Sequence, residues 1–161
     1  MKCSQFILLY AQLALSLRTK TTTRTMTLQE ISALLQTFDV CMMTTINSNG
    51  DINSRPMLQN KEIEFKGYLY FFSLIDTRKV HDLNDIPTVS LTYQDKEGKQ
   101  FLQLHGEAEL TNSTHEMVQH WDNALDTWWP LREHTERMCM IRVKVAWGRY
   151  WHQGKDVVFE F

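Results

Sequence analysis

Cysteine is scarce in this chain of 161 residues, and the three present, Cys3, Cys41 and Cys139, are an odd number with no C-x-x-C spacing. That excludes a disulfide framework and a zinc knuckle and fits a reducing, cytoplasmic setting. Cys41 and Cys139 lie inside apolar runs, where a free thiol packs as a small hydrophobe. An excess of charge of one sign is also missing: the formal net charge is −2, so overall charge gives no case for binding nucleic acid or an anionic membrane. Any anion site has to be local. With three prolines, six glycines, 43% hydrophobic and 22% charged residues, the composition is that of a folded domain and not of a disordered tail. The length suits one domain. The longest apolar stretch, Phe6 to Leu17, is shorter than the roughly 20 residues a membrane-spanning helix needs.

Residues 1–25 differ in character from the rest. Lys2 precedes the apolar stretch and a basic, threonine-rich run, Arg18 to Arg24, follows it. The stretch has the length of a signal-peptide core, but no small-x-small cleavage site follows. It reads better as an optional extension ahead of an internal start at Met26, with an amphipathic appendage docked on the domain as the alternative. Directly after it, Thr27 and Glu30 have the spacing of a capping box, and Met26 and Ile31 that of a hydrophobic staple. The domain is therefore expected to occupy residues 26–161.

From there the pattern is mainly β. Ile31, Leu34, Leu35 and Phe38 recur at helical spacing, predicting a helix over Leu28 to Thr37. Val40 to Ile46 and Ile52 to Gln59 flank Asn47-Ser48-Asn49-Gly50-Asp51, whose Asn-Gly pair signals a hairpin. Pro56 cannot donate to a ladder and marks an edge or bulge. Further strands are expected at Glu62–Phe65, Tyr68–Ser73, Thr88–Tyr93, Gln100–Leu110, Met138–Trp147 and Asp156–Phe161. Met138–Trp147 alternates, with Cys139, Ile141, Val143, Val145 and Trp147 read onto one side. A second long helix opens at Ser113 and Glu116 and ends at Pro130. Short strands, tight turns and few helices describe an antiparallel barrel or sandwich.

One segment carries unexpected charge. After Tyr68–Ser73 comes Leu74-Ile75-Asp76-Thr77-Arg78-Lys79, then Val80 and Leu83 at helical spacing. A helix starting near Asp76 or Thr77 puts Arg78 and Lys79 in its first turn, where the macrodipole disfavours cations by up to roughly 1 kcal/mol. Either an anion compensates, with backbone amides, the Thr77 hydroxyl and both side chains converging on a phosphate, or the two cations point into solvent with Asp76 offsetting them. Arg55, beside Pro56 on a strand of small and apolar residues, needs a partner as well.

The run Arg55-Pro56-Met57, then Phe71-Phe72-Ser73 leading into Thr77-Arg78-Lys79, resembles the FMN-binding split-barrel proteins related to pyridoxamine 5′-phosphate oxidase, in the branch of general stress protein 26. The likeness extends from about Leu28 to Trp151 and includes Trp128-Trp129-Pro130 and Tyr150-Trp151. It implies a mainly β fold, an antiparallel split barrel, with FMN as cofactor. By that resemblance Arg55, Thr77, Arg78 and Lys79 would hold the FMN phosphate, Phe72 and Ser73 would lie along the isoalloxazine ring, and Met57 would pack nearby. Trp151 would approach from the other subunit of a homodimer.

The departures limit the activity implied. Asn60 stands where the oxidases have a lysine, Phe101 occupies the place of a flavin-contacting glutamine with Gln100 one residue early, and Leu131-Arg132 replaces a common glycine. No Arg-x-His segment follows Trp151, so oxidation of a B6 vitamer is not expected. The resemblance leaves an FMN-dependent oxidoreductase of unknown substrate, a non-catalytic flavin-binding module of stress response, or a split barrel holding a deazaflavin or haem. No catalytic acid or base is evident. His115 and His120 are five apart and turned away from each other, the other histidines are scattered, and no metal site is expected. His105 and Glu107 read as wet-face residues of an alternating strand.

Overall fold

A computed structural model describes residues 26–61, 63–121 and 135–161. The chain enters through α1 (Leu28–Leu35), whose capping box is complete: the Thr27 hydroxyl accepts the Glu30 amide at 3.2 Å and the Glu30 carboxylate accepts the Thr27 amide at 2.9 Å. Such a cap contributes about 1 kcal/mol. Ile31 and Leu35 are buried, and Met26 packs on the same core.

The next strands, β1 (Val40–Ile46) and β2 (Ile52–Leu58), pair antiparallel in full register from Val40 opposite Leu58 to Ile46 opposite Ile52. Gly50 closes the turn at φ +86°, a conformation few other residues adopt. Then come β3 (Tyr68–Leu74), α2 (Arg78–Asp85), β4 (Thr88–Gln94), β5 (Gln100–Thr111), α3 (Thr114–Gln119), β6 (Met138–His152) and β7 (Lys155–Glu160). The sheet order is β2-β1-β4-β5-β6-β3, every pairing antiparallel, with β7 also on β6. Along its free side β6 takes β3 over Met138–Lys144 and β7 over Trp147–His152. One long strand thus serves two partners end to end, which is where the barrel splits. Pro56 lies on the edge strand β2, opposite Met42, where its missing N–H costs no ladder bond.

The main core joins Ile31, Met43, Phe71, Leu91, Leu104 and Ile141, all at 0% exposure, with Met57 and Phe38 among others. Each large side chain so buried contributes roughly 1.5–3 kcal/mol. A smaller cluster of Phe72, Met117, Met138 and Met140 lies on the other face of β3 and β6.

Three expectations need correction. Residues 63–65 form no strand; Phe65 is buried and its amide donates to Ser32 Oγ at 3.3 Å instead of entering a ladder. The β6 alternation breaks at Ala146, because the register jumps between His105 opposite Trp147 and Gly106 opposite Val145. This bulge turns Trp147 out to 39% exposure and brings Gly148 inward. Finally, β6 runs on to His152 before reversing through Gly154 at φ +74°. The second helix is described only over Thr114–Gln119; its predicted end, with Trp128, Trp129, Pro130, Leu131 and Arg132, lies outside the described residues.

Candidate functional site

The turn from β3 into α2 folds back on itself through two hydroxyls. Thr77 is the N-cap residue, extended at φ −89° and ψ 150°, yet its side chain caps nothing. Instead its hydroxyl donates to the Leu74 carbonyl at 2.9 Å and lies 3.0 Å from Ser73 Oγ. Val80 and His81 both donate to the Thr77 carbonyl, while the amides of Arg78 and Lys79 precede the first intrahelical bond and have no acceptor among the described residues. Lys79 curls over the same turn, its Nζ 2.9 Å from Ser73 Oγ and 3.5 Å from Thr77 Oγ1. Burial, followed by the nearby Arg55 charge, lowers the Lys79 pKa from the ordinary lysine range.

Arg55 reaches this place from β2. Its Nη1 donates to Thr45 Oγ1 at 2.7 Å and to the Met43 carbonyl at 3.3 Å, and its Nη2 lies 3.6 Å from Asp82 Oδ2. Nη1 thereby spends both hydrogens on protein and Nη2 pairs with Asp82, while Nε meets no acceptor among the described residues. Desolvation lowers the Arg55 pKa, Asp82 opposes that, and Arg78 adds to it. Arg55 thus lies near both Lys79 and Arg78, and of the three Arg78 is the one exposed to solvent.

Of the residues expected from sequence, the structure brings together Arg55, Ser73, Thr77, Arg78 and Lys79. Met57 follows two residues after Arg55 on the same strand face and is buried in the main core. Phe72 points the other way from Ser73, with its ring edge-on to Trp121 at 4.8 Å. Trp151 is not among the residues brought together: Ser73 pairs with Cys139, and Trp151 lies a dozen residues further along β6, opposite Phe101. There it lies under the Arg149 guanidinium at 5.1 Å.

Sequence reading missed Asp82, Thr45 and Asn53. The signal was available for Asp82, which adjoins Leu83 on the stripe that α2 buries. Among the departures, Asn60 is buried, with Nδ2 donating to the His120 carbonyl at 2.6 Å, and Gln100 Oε1 accepts the Tyr150 hydroxyl at 2.7 Å. A separate outer cleft of about 940 Å³, lined by Leu28, Tyr68, His105, Trp147 and Phe161 among others, shares no residue with the cation cluster. Its His105 and Trp147 rings stack at 3.9 Å, and burial lowers the His105 pKa. No group of three His, Cys, Asp or Glu that could hold a metal ion occurs among the described residues.

Fold and cluster together define an antiparallel split barrel with a cation-lined helix N-terminus. The family model for pyridoxamine 5′-phosphate oxidase-like proteins matches residues 26–161, and the chain belongs to that family. In three dimensions it is similar to a protein of Clostridium acetobutylicum related to general stress protein 26 of B. subtilis (TM-score 0.71, 21% identity, covering 83% of this chain and 94% of that one). It is also similar to general stress protein 26 of Bacillus anthracis (TM-score 0.67, 18% identity, 83% and 98% covered). A third likeness is to the general stress FMN/FAD-binding protein of Xanthomonas citri (TM-score 0.64, 16% identity, 77% and 89% covered). At these identities the likeness establishes the fold. No curated protein matches the sequence.

Proposed function

We propose that this protein binds FMN and uses it as a flavin-dependent oxidoreductase, with the flavin phosphate held at the N-terminus of α2. The observation that carries this reading is a charge imbalance: of Arg55, Arg78 and Lys79 only Arg55 pairs with a carboxylate, Asp82, among the described residues, which leaves two positive charges at a helix start with two amides without acceptors there. A phosphate monoester carries about −1.5 to −2 at neutral pH, and helix amides with fixed cations suit it. To serve the same ligand, the Thr77 hydroxyl turns to the phosphate the proton it otherwise gives to the Leu74 carbonyl. The solved relatives include an FMN/FAD-binding protein, which supports flavin over other phosphorylated ligands, deazaflavin included.

In this reading the main chain of β3 at Phe72 and Ser73 runs along the flavin ring, with Met57 nearby. Trp151 reaches it from the second subunit of a homodimer. Bound flavin supplies hydride or electron transfer. The protein's share is position and electrostatics, since the acid within the cluster, Asp82, is already engaged by Thr45 and Arg55. That same engagement favours, as the second reading, a flavin-binding module without turnover. The flavin domain is taken as residues 26–161, where the family match begins and ends, with residues 1–25 as an extension. Two free, buried cysteines, Cys41 and Cys139, suit a reducing, cytoplasmic location.

Titration of the purified protein with FMN, followed by absorption and flavin fluorescence, tests the phosphate site. Arg55→Ala with Lys79→Ala is expected to weaken FMN binding by about a hundredfold or more, the scale of two lost charge-assisted contacts. A wild type that does not bind FMN would end this reading. NAD(P)H oxidation by the holoprotein faster than by free FMN separates enzyme from module.

A further inference from the structure

Arg55 is oriented by groups that lie beneath it. Asp82 is 3% exposed and Thr45 0%. Asp82 Oδ2 takes the Thr45 hydroxyl at 2.6 Å and Asn53 Nδ2 at 3.5 Å, with Arg55 Nη2 at 3.6 Å. A buried carboxylate needs such partners, and the one cation paired with it among the described residues is Arg55. The direction of the chain is forced by chemistry: a guanidinium only donates and a carboxylate only accepts, so Thr45 takes its hydrogen bond from Arg55 and gives its own proton to Asp82. A carboxylate close to a phosphate is unfavourable by charge alone. Its presence is explained by what it does to the arginine.

We propose that Asp82 is a positioning residue of the phosphate site: acting through the Thr45 hydroxyl, it anchors one edge of the Arg55 guanidinium so that the other edge is presented to the flavin phosphate. The inference rests on the FMN reading above. Because Nη1 is spent on Thr45 and Met43 and Nη2 pairs with Asp82, the Nε hydrogen and the Nη2 hydrogen on that same edge form the fork left for two phosphate oxygens, and fixing rotation of that fork in advance lowers the entropy lost on binding. Asp82 also brings the local charge from plus three to plus two, matched to one dianionic ester.

The test compares dissociation constants for FMN and for riboflavin, which lacks the phosphate, in the full chain. Asp82→Asn is expected to weaken FMN by about tenfold or more and to leave riboflavin within about twofold. Thr45→Val, which removes the bridging hydroxyl, moves FMN the same way, and Thr45→Ser restores it. In an Arg55→Ala background, adding Asp82→Asn costs nothing further, since there is no fork left to orient. Should Asp82→Asn fail to unfold cooperatively, the Thr45 pair decides the matter. An unchanged FMN-to-riboflavin ratio in the decisive variants, or an equal loss with Arg55 already absent, would overturn the proposal. A wild type that binds FMN no better than riboflavin removes the phosphate site itself, and this inference with it.

Discussion

Lys79 carries a conflict between binding and stability. Its ammonium is half-buried beside Arg55, and its pKa is lowered by burial first and that neighbour second. Folding without a ligand therefore favours the uncharged form. Between the lowered value and the ordinary lysine range the unfolded chain binds more protons, so this residue's contribution to stability improves as pH rises through that window and its penalty is largest below it. Lys79→Met is accordingly expected to raise the melting temperature of the ligand-free protein near neutral pH by about 1–2 °C after allowance for solvent screening. The gain should shrink toward alkaline pH, and the stabilisation conferred by FMN should be smaller in the variant than in the wild type. Differential scanning calorimetry with and without FMN, at neutral and alkaline pH, measures all three. Arg78 and Lys79 were legible as a site because cations sit badly in a first helical turn. Asp82 left a fainter sign, its place beside Leu83 on the buried stripe of α2, which becomes a partner for Arg55 only when the fold brings β2 over it.

At the scale of elements, the pairing of β5 with β6 is set by two glycines and one extra residue. A Cβ at Gly106 would stand 2.1 Å from the Lys144 carbonyl oxygen, and one at Gly148 would stand 2.5 Å from the Phe159 ring and 2.7 Å from Leu104 Cδ2. The first obstacle is backbone within a ladder and cannot yield without opening it; the second is side chain. Gly148→Ala should cost about 1–3 kcal/mol, as overpacking does, and Gly106→Ala more, read from urea midpoints at unchanged slope. The hairpins and the α1 cap were legible because local chemistry decides them: Asn47 to Asp51 turns wherever it is placed, and Thr27 with Glu30 caps whatever follows. The Ala146 bulge was not, since alternation through Trp147 presumes one uninterrupted register, although Gly148 inside a strand was a faint sign of it. Phe65 likewise has strand character but gives its amide to Ser32, a partner 33 residues away.

For the whole molecule, the proposed homodimer assigns the phosphate cluster and the Trp151 of one subunit to two different flavin sites. Complementation tests this. Mixing a subunit carrying Arg55→Ala and Lys79→Ala with one carrying Trp151→Ala, followed by denaturation and co-refolding, should restore one intact flavin site per mixed dimer: the second subunit's phosphate cluster facing the first subunit's Trp151. FMN stoichiometry near one per mixed dimer is the expected result, and a Trp151→Ala homodimer that binds FMN as tightly as wild type would remove the tryptophan from the site.

The sequence by itself determined the turns, the caps, the alternation of most strands and the suspicious placement of Arg55, Arg78 and Lys79, all of which depend on neighbours within a few residues. Its likeness to the oxidase-like family extended that to the fold. Only the tertiary structure decided that Arg55 has Asp82 and Thr45 beneath it, that Ser73 joins Lys79 while Phe72 turns to Trp121, and that Trp147 faces out. These outcomes depend on which strands become neighbours and in what register, and a one-residue shift anywhere in β5 or β6 would have reversed the faces.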